Sequence, residues 1–129
     1  MSVESAAAIS AVGFVVIAVF QAALAAGAPL GRAAWGGRTA VLPARLRRSS
    51  AVAVVIWLVA AAIILGRAGL IDVPLPEVTL TVGAWVLVVL SALGSLVNVA
   101  SSSPWERFGW APLAATLAVL SAVVASSPV

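Results

Sequence analysis

Four long stretches without a single charged side chain set the strongest constraint on this chain. Asp, Glu, Lys and Arg are absent from positions 5–31, 49–66, 78–105 and 108–129. About 20 apolar residues in a helix cross the hydrocarbon core of a bilayer, and a soluble domain of this size cannot hide so much apolar surface. We therefore predict an all-α polytopic membrane protein, a single up-and-down bundle of four transmembrane helices with spans at about 4–27, 49–70, 77–99 and 104–126.

The first span could instead be a cleaved signal peptide, since small residues at 24–28 (LAAGA) suit a cleavage site. A signal peptide usually has a basic N-terminal region and a short apolar core. Here the N-terminal tail carries only Glu4, and the apolar run is long enough to span a bilayer. We expect this segment to remain as the first helix.

The arginines are distributed unevenly along the chain. The first predicted loop, about 28–48, contains five arginines and no acidic residue, whereas the second balances Arg67 against Asp72 and Glu77. Short loops rich in Lys and Arg stay cytoplasmic. We expect loops 28–48 and 100–104 on the cytoplasmic face of the plasma membrane and both termini outside. The arginines flank membrane spans, so their expected partners are anionic lipid headgroups, and no nucleic acid is expected.

Several residues predict where helices begin or bend. Ser103 to Glu106 has the pattern of a capping box with proline at the first helical position. Ser49 is expected to cap the second helix, and Pro74 and Pro76 to bracket the start of the third. Pro112 lies inside the fourth predicted span, where it should produce a kink.

A short pattern occurs twice, each time after a span that runs from outside to inside: Pro29-x-x-Arg32-x-x-Trp35 and Pro104-x-x-Arg107-x-x-Trp110. One interpretation is a duplicated helical hairpin. The other, which we favour, is that proline, arginine and tryptophan are common at membrane interfaces.

The chain resembles an uncharacterised family of small four-helix bacterial integral membrane proteins over nearly its whole length. The resemblance rests on Gln21, Gly27-x-Pro29-x-Gly31, Trp35-Gly36-Gly37, Leu42-Pro43, Asn98, Ser101, Ser103, Glu106-Arg107 and Trp110-x-Pro112. It implies the fold and a membrane location, and it brings no substrate. Family members often carry a basic residue in the serine-rich turn, where this chain has Pro104 and Trp105, which argues against phosphate binding there.

Most polar residues of the spans and turns are expected to gather at the cytoplasmic mouth between helices 1, 3 and 4. The candidate ligand or lipid contacts are Gln21, Arg32, Trp35, Asn98, Ser101, Glu106, Arg107 and Trp110. Each also has a purely structural interpretation: helix-to-helix hydrogen bonds for the amides, a helix cap for Glu106, and an aromatic belt for the tryptophans. We expect Gln21 and Asn98 to lie close enough to interact.

The segment 27–37 (GAPLGRAAWGG) is expected to be a turn followed by an interfacial stretch along the cytoplasmic leaflet. Arg32 and Trp35 are three residues apart and would share one face of a helical turn. Arg32 could bind a lipid phosphate, or it could pair with Glu106 and join the two cytoplasmic loops. The sequence leaves these alternatives open.

The composition argues against an enzyme. The chain contains no His, Cys, Lys or Tyr, which removes the commonest acids, bases and nucleophiles. Glu106 is the only carboxylate expected on the cytoplasmic face, so we expect no catalytic residues, no metal and no cofactor. We predict a non-enzymatic helix-bundle assembly, accessory or binding protein, with a second copy or another membrane protein as a further partner. The alternative is a small oligomeric transporter or channel for a small solute.

Overall fold

A computed structural model describes residues 1–128, which form an all-helical bundle without strands. Its helices are α1 (Val3–Ala25), α2 (Ala44–Arg67), α3 (Glu77–Ala100) and α4 (Ala111–Ala125), the last preceded by a π-helical turn at Glu106–Trp110. Four helical segments, the fourth running over Glu106–Ala125, are long and apolar enough to cross a membrane. The predicted fold class, a bundle of four helices suited to spanning a bilayer, is confirmed.

Two of the helices end in the same way, with a glycine in the left-handed region. Gly27 (φ 95°) follows α1, where its N–H donates to the Leu24 carbonyl and the next N–H donates to that of Ala23. Gly69 (φ 71°) follows α2 in the same pattern. This is the Schellman motif, which satisfies the last carbonyls of a helix and needs a residue without a Cβ.

The starts of α2 and α3 both follow a proline. α3 begins at Glu77 directly after Pro76, as predicted. The prediction that Ser49 caps the second helix is wrong, because α2 begins at Ala44 and the Ser49 hydroxyl donates to the Arg45 carbonyl inside the helix. Arg45, Arg47 and Arg48 belong to the helix although they precede the uncharged run. The charge pattern alone therefore places the start of α2 too late.

The entry into α4 combines the predicted cap with an unpredicted π-turn. The Ser103 hydroxyl accepts from the Glu106 N–H at 3.4 Å, but the Glu106 carboxylate points elsewhere, so only half of the capping box forms. Pro112 has no N–H to offer the Phe108 carbonyl. The turn before Pro112 is wider than an α-helical turn. In it the Ala111 N–H donates to the Glu106 carbonyl, five residues earlier.

The four helices pack in a ring, α1 against α2 and α4, and α3 against α2 and α4. At the centre Phe14 stacks on Trp57 with ring centroids 5.6 Å apart. Gly13 lets α1 approach α4, because a Cβ added there would lie 2.6 Å from a terminal carbon of Leu117. Where hydrophobic force between helices is weak, close packing of this kind holds a bundle together.

Helices α2 and α3 lie close together at one end and separate at the other. A Cβ on Gly83 would meet Ile63 at 3.0 Å, and one on Gly66 would meet Leu80 at 3.6 Å. At Gly94, farther along α3, an added Cβ would have no neighbour within 4 Å. The two helices therefore leave a cleft, which opens toward the loop that joins α1 to α2 (residues 26–43, hereafter the 26–43 loop).

The opposite end of the bundle holds a buried arginine. The side chain of Arg67, only 4% exposed, lies 3.8 Å from the Glu77 carboxylate and also donates to the Ser127 carbonyl. It links the end of α2 to the start of α3 and to the segment after α4.

Two of the glycines inside helices, Gly13 and Gly94, give a matched test of this packing. Replacing either with alanine gains about 1 kcal/mol of helix propensity, but at Gly13 the new methyl group displaces the buried Leu117. We expect Gly94→Ala to raise the melting temperature in detergent. The free energy of unfolding of Gly13→Ala should be lower than that of Gly94→Ala by about 1–3 kcal/mol. Equal shifts in the two variants would show that α1 and α4 are not tightly packed at Gly13.

Candidate functional site

The 26–43 loop folds back over the open end of the bundle. It contains two short 3₁₀ turns, Gly31–Ala33 and Trp35–Gly37. The Gly31 N–H donates to the Ala40 carbonyl at 2.8 Å, which closes the loop on itself. Gly31 is buried, and a side chain there would collide with the backbone of residues 39 and 40.

Three successive residues of this loop have positive φ: Trp35 (51°), Gly36 (84°) and Gly37 (71°). The left-handed region costs a residue with a Cβ about 1–2 kcal/mol, so Trp35 is held there by its surroundings. Its indole N–H donates to the hydroxyl of Ser50, which is fully buried in α2, at 3.0 Å. Local strain of this kind occurs at binding sites more often than elsewhere.

The partner of this strained segment is the carboxylate of Glu106. Its two oxygens lie 3.2 and 3.4 Å from the Gly36 nitrogen, and one of them also accepts from the Ser101 hydroxyl. Glu106 is 8% exposed. Hydrogen bonds to a charged acceptor in a dry environment are stronger than neutral ones.

Three further hydrogen bonds join the same two segments. The Ser103 hydroxyl donates to the Arg32 carbonyl at 2.7 Å, and the Ser102 hydroxyl to the Gly36 carbonyl at 3.3 Å. The Trp110 indole donates to the Ala33 carbonyl at 3.0 Å. Residues 31–37 are thus docked onto residues 101–110, an arrangement that we call the loop junction.

Of the two alternatives for Arg32, the pairing with Glu106 is wrong. The Arg32 guanidinium is exposed and donates to the carbonyls of Gly37 and Arg38 at 3.1 and 2.9 Å. The two loops are joined, as that alternative required, but Glu106 binds backbone N–H rather than a guanidinium. Arg107 is exposed, and its guanidinium lies 5.6 Å from the ring centre of Phe108.

The two copies of the Pro-x-x-Arg-x-x-Trp pattern do not share a conformation. Pro29 precedes a 3₁₀ turn, whereas Pro104 stands at the beginning of a helix. The hypothesis of a duplicated hairpin gains no support from the local structure of these segments.

A cavity of about 910 Å³ lies beneath the 26–43 loop, in the cleft between α2 and α3. Six of the predicted site residues line it: Gln21, Trp35, Asn98, Ser101, Glu106 and Trp110. Its deeper wall is apolar and includes Trp57, Leu90 and Leu117. All four helices contribute, whereas the sequence pointed only to helices 1, 3 and 4.

Two polar side chains that line this cavity, Gln21 and Ser91, are incompletely paired. The Gln21 Oε1 and the Ser91 hydroxyl are buried and have no hydrogen-bond partner within residues 1–128. Asn98 is half-buried on the same cavity, but no hydrogen bond joins it to Gln21 in the described chain. The two amide side chains therefore line the same cavity but do not hydrogen-bond to each other.

A second cavity of about 540 Å³ lies on the other side of the loop junction. Arg32, Leu30 and Trp105 line it, and Phe20 and Trp110 border both cavities, with ring centroids 4.7 Å apart. Arg32 thus belongs to a different cavity from most of the predicted site residues.

Four residues that line the main cavity were not among the predicted site residues: Trp57, Ser91, Arg38 and Arg45. One signal was available for Trp57, because tryptophan is favoured at membrane interfaces and a tryptophan in mid-span needs another explanation. Arg38 and Arg45 belong to an arginine-rich stretch, for which the sequence indicated a role in setting the orientation of the chain in the membrane. No cluster of three or more His, Cys, Asp or Glu side chains that could hold a metal ion occurs over positions 1–128.

Comparison with protein-family models, curated proteins and solved structures gives no match to this chain. The resemblance to a family of small four-helix bacterial membrane proteins thus stays an expectation.

Removal of the Glu106 carboxylate should loosen the 26–43 loop. We expect Glu106→Ala to lower the free energy of unfolding by about 1.5–3 kcal/mol, the usual contribution of a hydrogen bond to a charged group, and to speed trypsin cleavage after Arg32 and Arg38. Asp72→Ala is the control, since Asp72 is exposed and has no polar partner among residues 1–128. Thermal melting and timed proteolysis in detergent measure the two effects. Equal behaviour of the variants would contradict a structural role for Glu106.

Proposed function

We propose that this protein is a non-enzymatic membrane protein that binds an amphipathic molecule in the cleft between α2 and α3. One observation carries the proposal: the cavity of about 910 Å³ combines an apolar wall with the buried, unpartnered Gln21 Oε1. Ligand cavities in proteins measure roughly 300–1,000 Å³ and pair apolar linings with a few polar groups.

The unpaired polar atoms favour a ligand that carries a hydrogen-bond donor. A buried acceptor without a partner costs about 1–3 kcal/mol. Gln21 Oε1 and the Ser91 hydroxyl incur this cost, since neither has a hydrogen-bond partner among residues 1–128. A ligand hydroxyl or N–H group that reached them would recover it. The chemistry of the cavity thus supports binding more than simple packing.

The position of the cleft favours entry from the bilayer. Gly94 faces open space on α3, and the neighbouring Leu90 and Val97 are exposed while lining the cavity. A molecule with an apolar body could pass between α2 and α3 without crossing water. The 26–43 loop covers the end of the bundle above it.

The alternative, a small oligomeric transporter or channel, has less support. Beyond the cavity, the Phe14–Trp57 stack and Leu117 fill the centre of the bundle. A solute would have to displace these side chains to continue through one copy of the chain. A second copy or another membrane protein remains part of the proposal as an accessory partner.

We further propose that the protein resides in a bacterial plasma membrane with the 26–43 loop and residues 101–103 on the cytoplasmic face. The hydrogen bond between Gly36 and Glu106 supports placing both loops on one side. The excess of arginine in the first loop then assigns that side to the cytoplasm.

Single cysteines test the orientation directly, since the native chain has none. We expect Ser2→Cys and Pro128→Cys to react with a membrane-impermeant maleimide added to intact cells. Arg38→Cys should react only after the membrane is permeabilised. Labelling of position 38 alone in intact cells would reverse the orientation.

Filling the cleft should weaken ligand binding. Gly94→Leu adds a side chain at a residue that lines the cavity, and its Cβ meets no neighbour within 4 Å. We expect this variant to fold normally and to bind lipid at least about tenfold more weakly, a change of about 1.4 kcal/mol. The measurement is native mass spectrometry of the purified protein with a mixture of phosphatidylcholine and phosphatidylglycerol of the same acyl chains.

Ala92→Leu provides the matched control. It adds the same side chain to the exposed surface of α3, outside the cavity. Lipid that binds in the cleft is lost only from Gly94→Leu. If both variants keep the lipid of the unmodified protein, the bound molecules cover the outer surface, and the proposed function is wrong.

A further inference from the structure

We infer that the mouth of the cleft selects an anionic lipid, whose phosphate group binds between Arg38 and Arg45. This inference rests on the proposed function and adds the chemistry of the headgroup. Arg38 ends the strained segment of the 26–43 loop, and Arg45 lies in the first turn of α2. Both side chains line the cavity.

The two guanidinium groups differ from the other arginines that support the fold. Arg32 donates to two carbonyls, Arg47 to the Ala25 carbonyl at 3.1 Å, and Arg67 to the Ser127 carbonyl. The guanidinium groups of Arg38 and Arg45 make no hydrogen bond or ion pair with any group in residues 1–128. Their ten N–H donors are therefore free for a ligand, and guanidinium groups match phosphate oxygens in geometry.

The electrostatic surroundings at the mouth are positive. The 26–43 loop and the first turns of α2 contain no acidic residue. The one carboxylate that lines the cavity, Glu106, is already hydrogen-bonded to Gly36 and Ser101. An anion at the mouth therefore meets a net positive charge, since two guanidinium groups face one carboxylate on this cavity.

The position of Arg45 adds a second electrostatic argument. The N-terminus of a helix carries partial positive charge, and a basic residue in the first turn is unfavourable there. α2 begins after Pro43 with no side chain accepting from its free N–H groups. A phosphate at this place would be attracted both by the helix end and by Arg45, which explains an otherwise costly arrangement.

A membrane lipid satisfies the mouth and the cleft together. With its phosphate at Arg38 and Arg45, an acyl chain extends along the apolar wall toward Trp57 and Leu117. Gln21 lies on the same cavity and offers a polar contact to the headgroup or linkage region. A free phosphate ion would leave the apolar part of the cavity empty, so we assign the ligand to the membrane.

The test compares phosphatidylglycerol with phosphatidylcholine, matched in acyl chains, by native mass spectrometry of the purified full chain. We expect the unmodified protein to retain phosphatidylglycerol preferentially. Arg38→Gln and Arg45→Gln should each weaken its binding about fivefold, as expected for one basic residue near an anionic surface. Arg48→Gln is the matched control, because Arg48 is exposed in the same region but does not line the cavity.

Each outcome decides a different point. Loss of preference in the Arg38 and Arg45 variants, but not in Arg48→Gln, supports the inference. Equal retention of the two lipids by the unmodified protein, with both lost in Gly94→Leu, overturns the inference and leaves the proposed function in place. An equal effect of all three arginine substitutions shows diffuse attraction to the loop and also overturns it. Retention of phosphatidylglycerol that is insensitive to Gly94→Leu overturns the proposed function itself.

Discussion

The carboxylate of Glu106 holds the backbone N–H of Gly36, and the organisation of one end of the bundle depends on this contact. The contact crosses from the start of the fourth helix to the loop between the first two, so it joins the two helical hairpins where α2 and α3 have separated. A buried carboxylate needs several donors to offset its lost hydration. Gly36 and Ser101 provide them, and Trp35 is kept in the left-handed region beside them. Together with the hydrogen bonds from Ser102, Ser103 and Trp110, this contact keeps the 26–43 loop over the cleft.

The helices were largely predictable because a bilayer imposes a simple rule on sequence. Four uncharged runs indicated four spans, and Pro76 marked the beginning of α3 correctly. The start of α2 was missed by several residues, since the arginines at 45–48 continue the helix while belonging to the loop in charge and polarity. Hydropathy indicates which residues contact lipid. The hydrogen bonds of a helix can continue into the polar residues next to that segment.

The sequence predicted several residues that line the site, but not the groups to which they hydrogen-bond. Gln21, Trp35, Asn98 and Glu106 do line one cavity, as their common position near one membrane face suggested. The partner of Glu106 could not be deduced, because a backbone N–H leaves no mark in the sequence and Arg32 offered an obvious but incorrect alternative. The cleft exists because α2 and α3 lie close together near Gly66 and Gly83 and not farther along. The sequence shows these glycines but does not show that the two helices meet there.

The buried Arg67 has a consequence for how the bundle is seated in a membrane. The uncharged run from 49 to 66 separates it from the arginines at the other end of α2, a helical length of about 27 Å at 1.5 Å per residue. This is close to the thickness of the hydrocarbon core of a bilayer, about 30 Å. Arg67 is tied to Glu77 and Ser127 and cannot extend toward water, whereas the exposed Arg48 can. We therefore expect differences in bilayer thickness to be absorbed at the arginine-rich end, with the Arg67 end determining the depth at which the protein sits.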